Sequence, residues 1–132
     1  MKHRLLTLAL LSAFAMGCNK VYDTAIFLQV TSTLTIPDQL DNIRIRAVNS
    51  AETSMVIYDQ FVSLAEPDRP KSFPLTMTIT QGDESISSIN ISVWGYRKEA
   101  SEMRLVTHEG RLEQIVFETD RVKPVVVELF PL

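Results

Sequence analysis

From Thr24 onward, hydrophobic and polar residues alternate along the chain with a period of two. "TAIFLQVTS" puts Ile26, Leu28 and Val30 on one face. "LDNIRIRAVN" sets Ile43, Ile45 and Ala47 against Arg44 and Arg46, and "SFPLTMTITQ" sets Phe73, Leu75, Met77 and Ile79 against Pro74, Thr76, Thr78 and Thr80. In "SISSINISVWGYR", Ile89, Ile91 and Val93 oppose Asn90, Ser92 and Trp94. Successive side chains of a strand point to opposite faces, so each stretch predicts a half-buried strand. "SMVIYDQFV", "EMRLVTHEG", "EQIVFET" and "KPVVVELF" bring the set to about eight. Turn-forming stretches separate them: "IPDQLDN", "AEPDRP", "QGDES", "KEASE", "HEGR" and "TDRVKP". The one stretch with some helical character, "RKEASEMRL", reads as a hairpin connection. One apolar and one polar face is the signature of antiparallel sheets with one solvated side, and many short strands between turns form sandwiches or barrels. The prediction is an all-β domain over residues 24–132, a single antiparallel β-sandwich of immunoglobulin-like type with about 7–8 strands.

The same alternation makes a statement about faces. If Ile89, Ile91 and Val93 point inward, Trp94 and Tyr96 point outward, and exposed aromatics on a strand can form a flat patch for sugar rings or protein. Gly95 lies between them, and a glycine within a strand often marks a bulge that re-aims side chains. Two roles therefore stand for Trp94: a core or inter-sheet position, the commoner fate of a large aromatic, and a ligand-facing one, shared with Tyr96. Arg44 and Arg46, beside the Thr76, Thr78 and Thr80 face, read as part of a solvated polar sheet surface.

The N-terminus breaks the pattern. In "MKHRLLTLALLSAFAMGCNK", Lys2, His3 and Arg4 precede an uncharged run, Leu5 to Met16. As a helix that run is roughly 18 Å long, too short for a bilayer core of about 30 Å. It is apolar on all sides, with no polar face to show to water as a surface helix would. A basic start, a short apolar run and small residues before a cut describe a secretory signal. "AMGC", Ala15 to Cys18, resembles the lipobox of bacterial lipoproteins, with Ala15 where that box prefers Leu and a less usual Met16. The resemblance implies removal of residues 1–17, a thioether-linked diacylglycerol on Cys18 and acylation of its new amine. Residues 18–23 then form the lipidated cysteine and a short tether. Several fatty chains on one residue hold far more firmly than the single chain that binds membranes only marginally. The chain has a single cysteine, so no disulfide competes for Cys18. Asn19 stands where an Asp would signal inner-membrane retention in enteric lipoproteins. The implied location is the cell envelope, lipid-anchored at the outer membrane and facing the periplasm or the surface.

The order "TAIFLQV… FPLTMTIT… INISVWGYR… PVVVELF" is also similar to small immunoglobulin-like lipoproteins of myxobacteria and their relatives. That likeness implies a surface or periplasmic sandwich domain and no known activity.

Composition narrows function further. The size suits one domain, and the net charge of −3 becomes more negative once Lys2 and Arg4 leave with the leader. Nucleic-acid binding calls for a basic patch or stripe, which is lacking. After the leader His108 is the only imidazole, and next to Glu109 it reads as a turn residue. Zinc needs three or four ligands and nucleophilic triads need an oriented base, so neither a metal site nor a catalytic residue is expected. Asp83–Glu84 and Asp38/Asp41 do not fit a calcium loop and read as solvated turn acids. With no glycine-rich phosphate loop, no cofactor is expected. The sequence points to a non-enzymatic envelope lipoprotein with a binding or structural role. Its partners are the membrane, through lipid at Cys18, and an envelope protein or glycan. Two specific forms of that role stand open: a carbohydrate- or peptide-binding module using Trp94 and Tyr96, and a module that accepts a partner's strand at a sheet edge.

Overall fold

The computed structural model describes residues 23–132. The expected signal sequence, Cys18 and all of the expected tether but Asp23 lie outside the described residues. Eight strands follow one another: β1 (Ala25–Ser32), β2 (Asn42–Asn49), β3 (Val56–Ser63), β4 (Leu75–Thr80), β5 (Ser88–Glu99), β6 (Glu102–Leu105), β7 (Gly110–Val116) and β8 (Val122–Leu129). They form two sheets, one ordered β4-β1-β8 and the other β3-β2-β5-β6, with β7 also paired to β5. β5 is long enough to serve two neighbours along one edge, β7 beside Ser88–Val93 and β6 beside Tyr96–Glu99. The all-β prediction holds, and the inward faces are the ones the alternation assigned. Ile26, Leu28 and Val30 of β1 share a buried core with Ile43, Ile45 and Ala47 of β2 and Ile89, Ile91 and Val93 of β5. Burying each of the larger side chains contributes about 1.5–3 kcal/mol. Thr76, Thr78 and Thr80 stay in water.

The sheets are not wholly antiparallel. β1 and β8 pair in parallel, Ile26 beside Lys123, Leu28 beside Val125 and Val30 beside Val127. Alternation cannot register this, because the same residues face inward whichever way a neighbour runs. Nor does a hairpin impose a direction, since the whole domain separates the two strands. The polar surface expected from Arg44, Arg46 and the threonines is also corrected. β2 and β4 belong to different sheets, because a hydrophobic pattern fixes a strand's face and not its neighbour.

Gly95 does not make a bulge. The β2–β5 register runs unbroken from Asn42↔Tyr96 to Asn49↔Ile89. Gly95 faces inward instead, where its N–H donates to the hydroxyl of the fully buried Thr107 at 2.8 Å. That hydroxyl donates in turn to the His108 carbonyl at 2.9 Å. The β5–β7 ladder does carry an irregularity between Ile89 and Ile91. There Gln114 takes a positive φ of 51° and donates its N–H to Asn90 Oδ1 at 2.9 Å. "RKEASEMRL" is the hairpin the sequence suggested, Glu99 pairing with Glu102 around Ala100 and Ser101. "EMRLVTHEG" is not one strand. After Leu105 the chain leaves β6 and lies against the chain that follows β8 before crossing back to β5 as β7, with Val106 N–H donating to the Gly95 carbonyl at 2.9 Å and His108 N–H to the Phe130 carbonyl at 2.9 Å.

Candidate functional site

The outer face of the five-stranded sheet is where the unusual side chains gather. Strand register sets them in rows. Arg44 of β2 lies between Phe61 of β3 and Trp94 of β5, and Arg46 lies between Asp59 and Ser92. Tyr96 lies across from Asn42, one row beyond Trp94. Period two sends Arg44, Arg46, Ser92, Trp94 and Tyr96 outward for the same reason that it sends Ile45 and Val93 inward.

Arg44 organises the middle of this face. Its guanidinium donates twice to Asp59, Nε to Oδ1 at 2.8 Å and Nη2 to Oδ2 at 2.7 Å. The guanidinium carbon lies 5.3 Å from the Trp94 ring centroid and 5.8 Å from that of Phe61, within cation–π range. Phe61 meets Tyr96 edge to face, centroids 5.1 Å apart. The paired hydrogen bonds hold the Asp59 carboxyl below its ordinary range and raise the guanidinium pKa, so both stay charged. Asp59 is protonated less readily in the folded chain than in the unfolded one. Its contribution is therefore present above the unfolded carboxylate value of about 3.9 and is lost as pH falls through the lower folded value. In urea titrations, Asp59→Asn is expected to be less stable than the parent by a constant margin above about pH 5, the margin closing below about pH 4. A margin that persists into strong acid would show that the carboxylate's charge is not what matters.

Beside this cluster the face sinks into a depression of about 280 Å³ lined by Arg46, Asn90, Ser92, Trp94, Glu109 and Arg111, among others. Asn90 is oriented by its own acceptor, since Oδ1 receives both Gln114 N–H and Ser50 Oγ–H at 2.9 Å. Arg46 Nε is buried with no hydrogen-bond partner among the described residues. The nearest charge, Asp59 Oδ2 at 3.8 Å, is already bound to Arg44. A second concavity, about 460 Å³ and mostly apolar, opens between the β3 and β4 edges. Val30, Ile43, Ile45, Tyr58, Val62 and Met77 are among its walls.

Of the residues singled out in the sequence, Trp94 is half-buried on the outer face and lines the depression. It is not packed between the sheets. Tyr96 shares its strand and face, but its ring turns to Phe61. Cys18 lies outside the described residues. His108 is exposed in the crossing segment. Asp41 serves the fold, its Oδ1 accepting from Asn42 Nδ2 and Lys98 N–H at 2.8 Å each. Among the described residues no group of three or more His, Cys, Asp or Glu is placed to hold a metal ion. The sequence reading missed Asp59, Phe61, Glu109 and Arg111 as members of this face. Only the pairing of β2 with β3 and of β5 with β7 brings them there, and a pattern read one strand at a time carries no pairing.

Comparison with protein-family models, with curated proteins and with solved structures finds no match to this chain. The class defined by the fold is a two-sheet, sandwich-like all-β domain, and its function has to be read from its own residues.

Proposed function

We propose that this chain is a non-enzymatic lipoprotein of the bacterial cell envelope. In this reading an immunoglobulin-like β-sandwich, held by lipid on Cys18, works by binding through the outer face of its five-stranded sheet. The observation that carries the binding role is the placement of Trp94 at the edge of a depression, with Arg46, Arg111 and Glu109 around it. An aromatic platform with a few convergent polar groups is how proteins hold small polar rings or peptide segments. The anchor rests on the lipobox resemblance of "AMGC", and Asn19 supports an outer-membrane location. The immunoglobulin-like type is supported by chain order, since β1 pairs with β4 and β8 while β2 and β3 lie in the other sheet. β1 begins at Ala25, so the chain from Cys18 reaches at most about 25 Å and would keep the domain beside the bilayer.

Trp94 is the only tryptophan, so its fluorescence reports on this face alone. Titrating the detergent-solubilised protein with saccharides prepared from bacterial envelopes is expected to shift or quench its emission saturably. Emission unmoved by any fraction would count against the face as a glycan-binding surface.

The cleft between β3 and β4 favours a second reading, in which a partner adds a strand to the β4 edge. β4 pairs only with β1 among the described residues, and an exposed edge beside an apolar cleft offers both main-chain hydrogen bonds and side-chain pockets. Slowed amide exchange at Thr76, Thr78 and Thr80 in a purified complex would support it; unchanged exchange would not.

A further inference from the structure

We infer that the depression beside Trp94 takes an acidic saccharide, a sugar ring that carries a carboxylate. The inference rests on the outer face being the contact surface and adds the chemistry of the ligand. It comes from an inventory of donors and acceptors. Among the described residues Arg46 makes no side-chain hydrogen bond: its buried Nε lies 3.8 Å from Asp59 Oδ2, beyond hydrogen-bond distance. The Arg46 side chain is nevertheless 41% exposed, so its guanidinium can be reached. Asn90 spends Oδ1 on Gln114 and Ser50, which leaves Nδ2 with no acceptor among the described residues. Ser92 and Thr53 line the same space with no hydrogen bond from either hydroxyl to a described residue. Arg111 forms an ion pair with Glu113, Nε to Oε1 at 2.9 Å, and its other nitrogens have no hydrogen bond to a described residue. Against these donors the depression offers one carboxylate, Glu109.

A site so rich in donors calls for a ligand rich in acceptors. A carboxylate answers Arg46 or Arg111 with charge-assisted hydrogen bonds, the stronger kind. Ring hydroxyls can accept from Asn90 and donate to Glu109. The Trp94 indole supplies the apolar surface on which the C–H face of a sugar can lie. A neutral sugar leaves the unmatched arginine as it is, and an amine would face two guanidinium groups. The volume, about 280 Å³, lies at the small end of ligand sites and suits one ring of a longer chain.

The test is titration of the full detergent-solubilised protein with a galacturonic acid oligosaccharide, followed by Trp94 fluorescence and by calorimetry. The neutral galactose oligosaccharide of the same length and inorganic phosphate are run beside it. The expected result is saturable binding of the acidic sugar, at least about tenfold weaker binding of the neutral one, and no comparable effect of phosphate. Arg46→Gln is expected to weaken the acidic sugar by about tenfold or more while leaving the neutral one unchanged. Arg111→Gln, on the β7 side, is expected to act in the same direction. Both side chains are at the surface, and unchanged thermal melting confirms that each variant is folded. Equal affinity for acidic and neutral sugars would overturn the acidic specificity while leaving the outer face as a binding surface. Phosphate binding as well as the acidic sugar would overturn the saccharide assignment in favour of a simple anion site. Loss of neither binding nor specificity in both arginine variants would overturn the site. No saccharide response at all would remove this inference and the glycan-binding role of the face together.

Discussion

Gly95→Ala is expected to destabilise the domain by about 2–3 kcal/mol, a large share of the 5–15 kcal/mol typical of a small domain. A Cβ at this position would lie 2.6 Å from Thr107 Cγ2 and 3.0 Å from Leu40 Cδ1. Neither neighbour has room to retreat, since Leu40 and Thr107 are both completely buried. Thr107 is also held by its own bonds, accepting from Gly95 N–H and donating to the His108 carbonyl. The backbone around it is tied to β5 through Val106 and to the chain after β8 through His108. Relief therefore requires either an overpacked core or a broken buried hydrogen bond, and each costs about 1–3 kcal/mol. The urea midpoint measures the loss. Thr107→Ser in the same chain deletes the methyl group that the new Cβ would strike, and the double variant is expected to recover about half of it. Gly82→Ala is the contrasting case. Its φ of +68° makes alanine strained, but nothing lies within 4 Å of the added atom, so the cost is nearer 1 kcal/mol. Equal losses at the two glycines would refute the steric explanation. Because Gly95 sits beneath the strand segment that displays Trp94 and Tyr96, the same substitution is expected to disturb the outer face.

Cys18→Ser is expected to have an all-or-none effect of another kind. A serine hydroxyl cannot form the thioether, so incorporation of labelled fatty acid should fall to background and the chain should keep residues 1–17. Replacing the leader with a conventional cleaved signal joined at Asn19 is expected to release the domain into the soluble fraction. Each buried methylene contributes about 0.8 kcal/mol, so fatty chains on Cys18 would outweigh any weak contact the domain makes. The chain offers little electrostatic attraction to anionic lipid, since its net charge is −3 with the basic residues Lys2 and Arg4 included. Among the described residues no helix is long and apolar enough to cross a membrane. Full retention of the released domain in washed membranes would show that something other than lipid holds it.

How far each feature could be read in advance depends on whether it is local. Alternation around Ile26, Ile45, Met77 and Ile91 settles which side chains enter the core, because each strand carries that signal by itself. The Ala100–Ser101 hairpin is equally local. The parallel β1–β8 pair leaves no mark on either strand, since parity is the same in both directions. The bidentate Arg44–Asp59 pair joins residues on β2 and β3 that meet only through register, and Arg44 is drawn to Trp94 in the same way. Gly95 was legible as a special position but not as the one it is. Glycine serves equally for a bulge and for close approach, and only the presence of Thr107 opposite it decides. Thr107 sits at the end of "EMRLVTHEG", which reads as a strand running into the turn "HEGR", so its burial carries no local mark. It is buried because its hydroxyl both accepts from Gly95 and donates to His108, so no polar atom is left unsatisfied. The proposed anchor rests on the most local signal of all, a single cysteine after a single apolar run, and lies outside the described residues.

The anchor is also the most direct point of attack. Mass spectrometry of the protein extracted from bacterial membranes, on the N-terminal tryptic fragment ending at Lys20, distinguishes the outcomes without a binding partner. The expected fragment begins at Cys18 and carries the mass of a diacylglycerol and an amide-linked fatty acid. Fragments from residues 1–17, or an unmodified Cys18, would contradict the assignment of this chain as a lipid-anchored envelope protein.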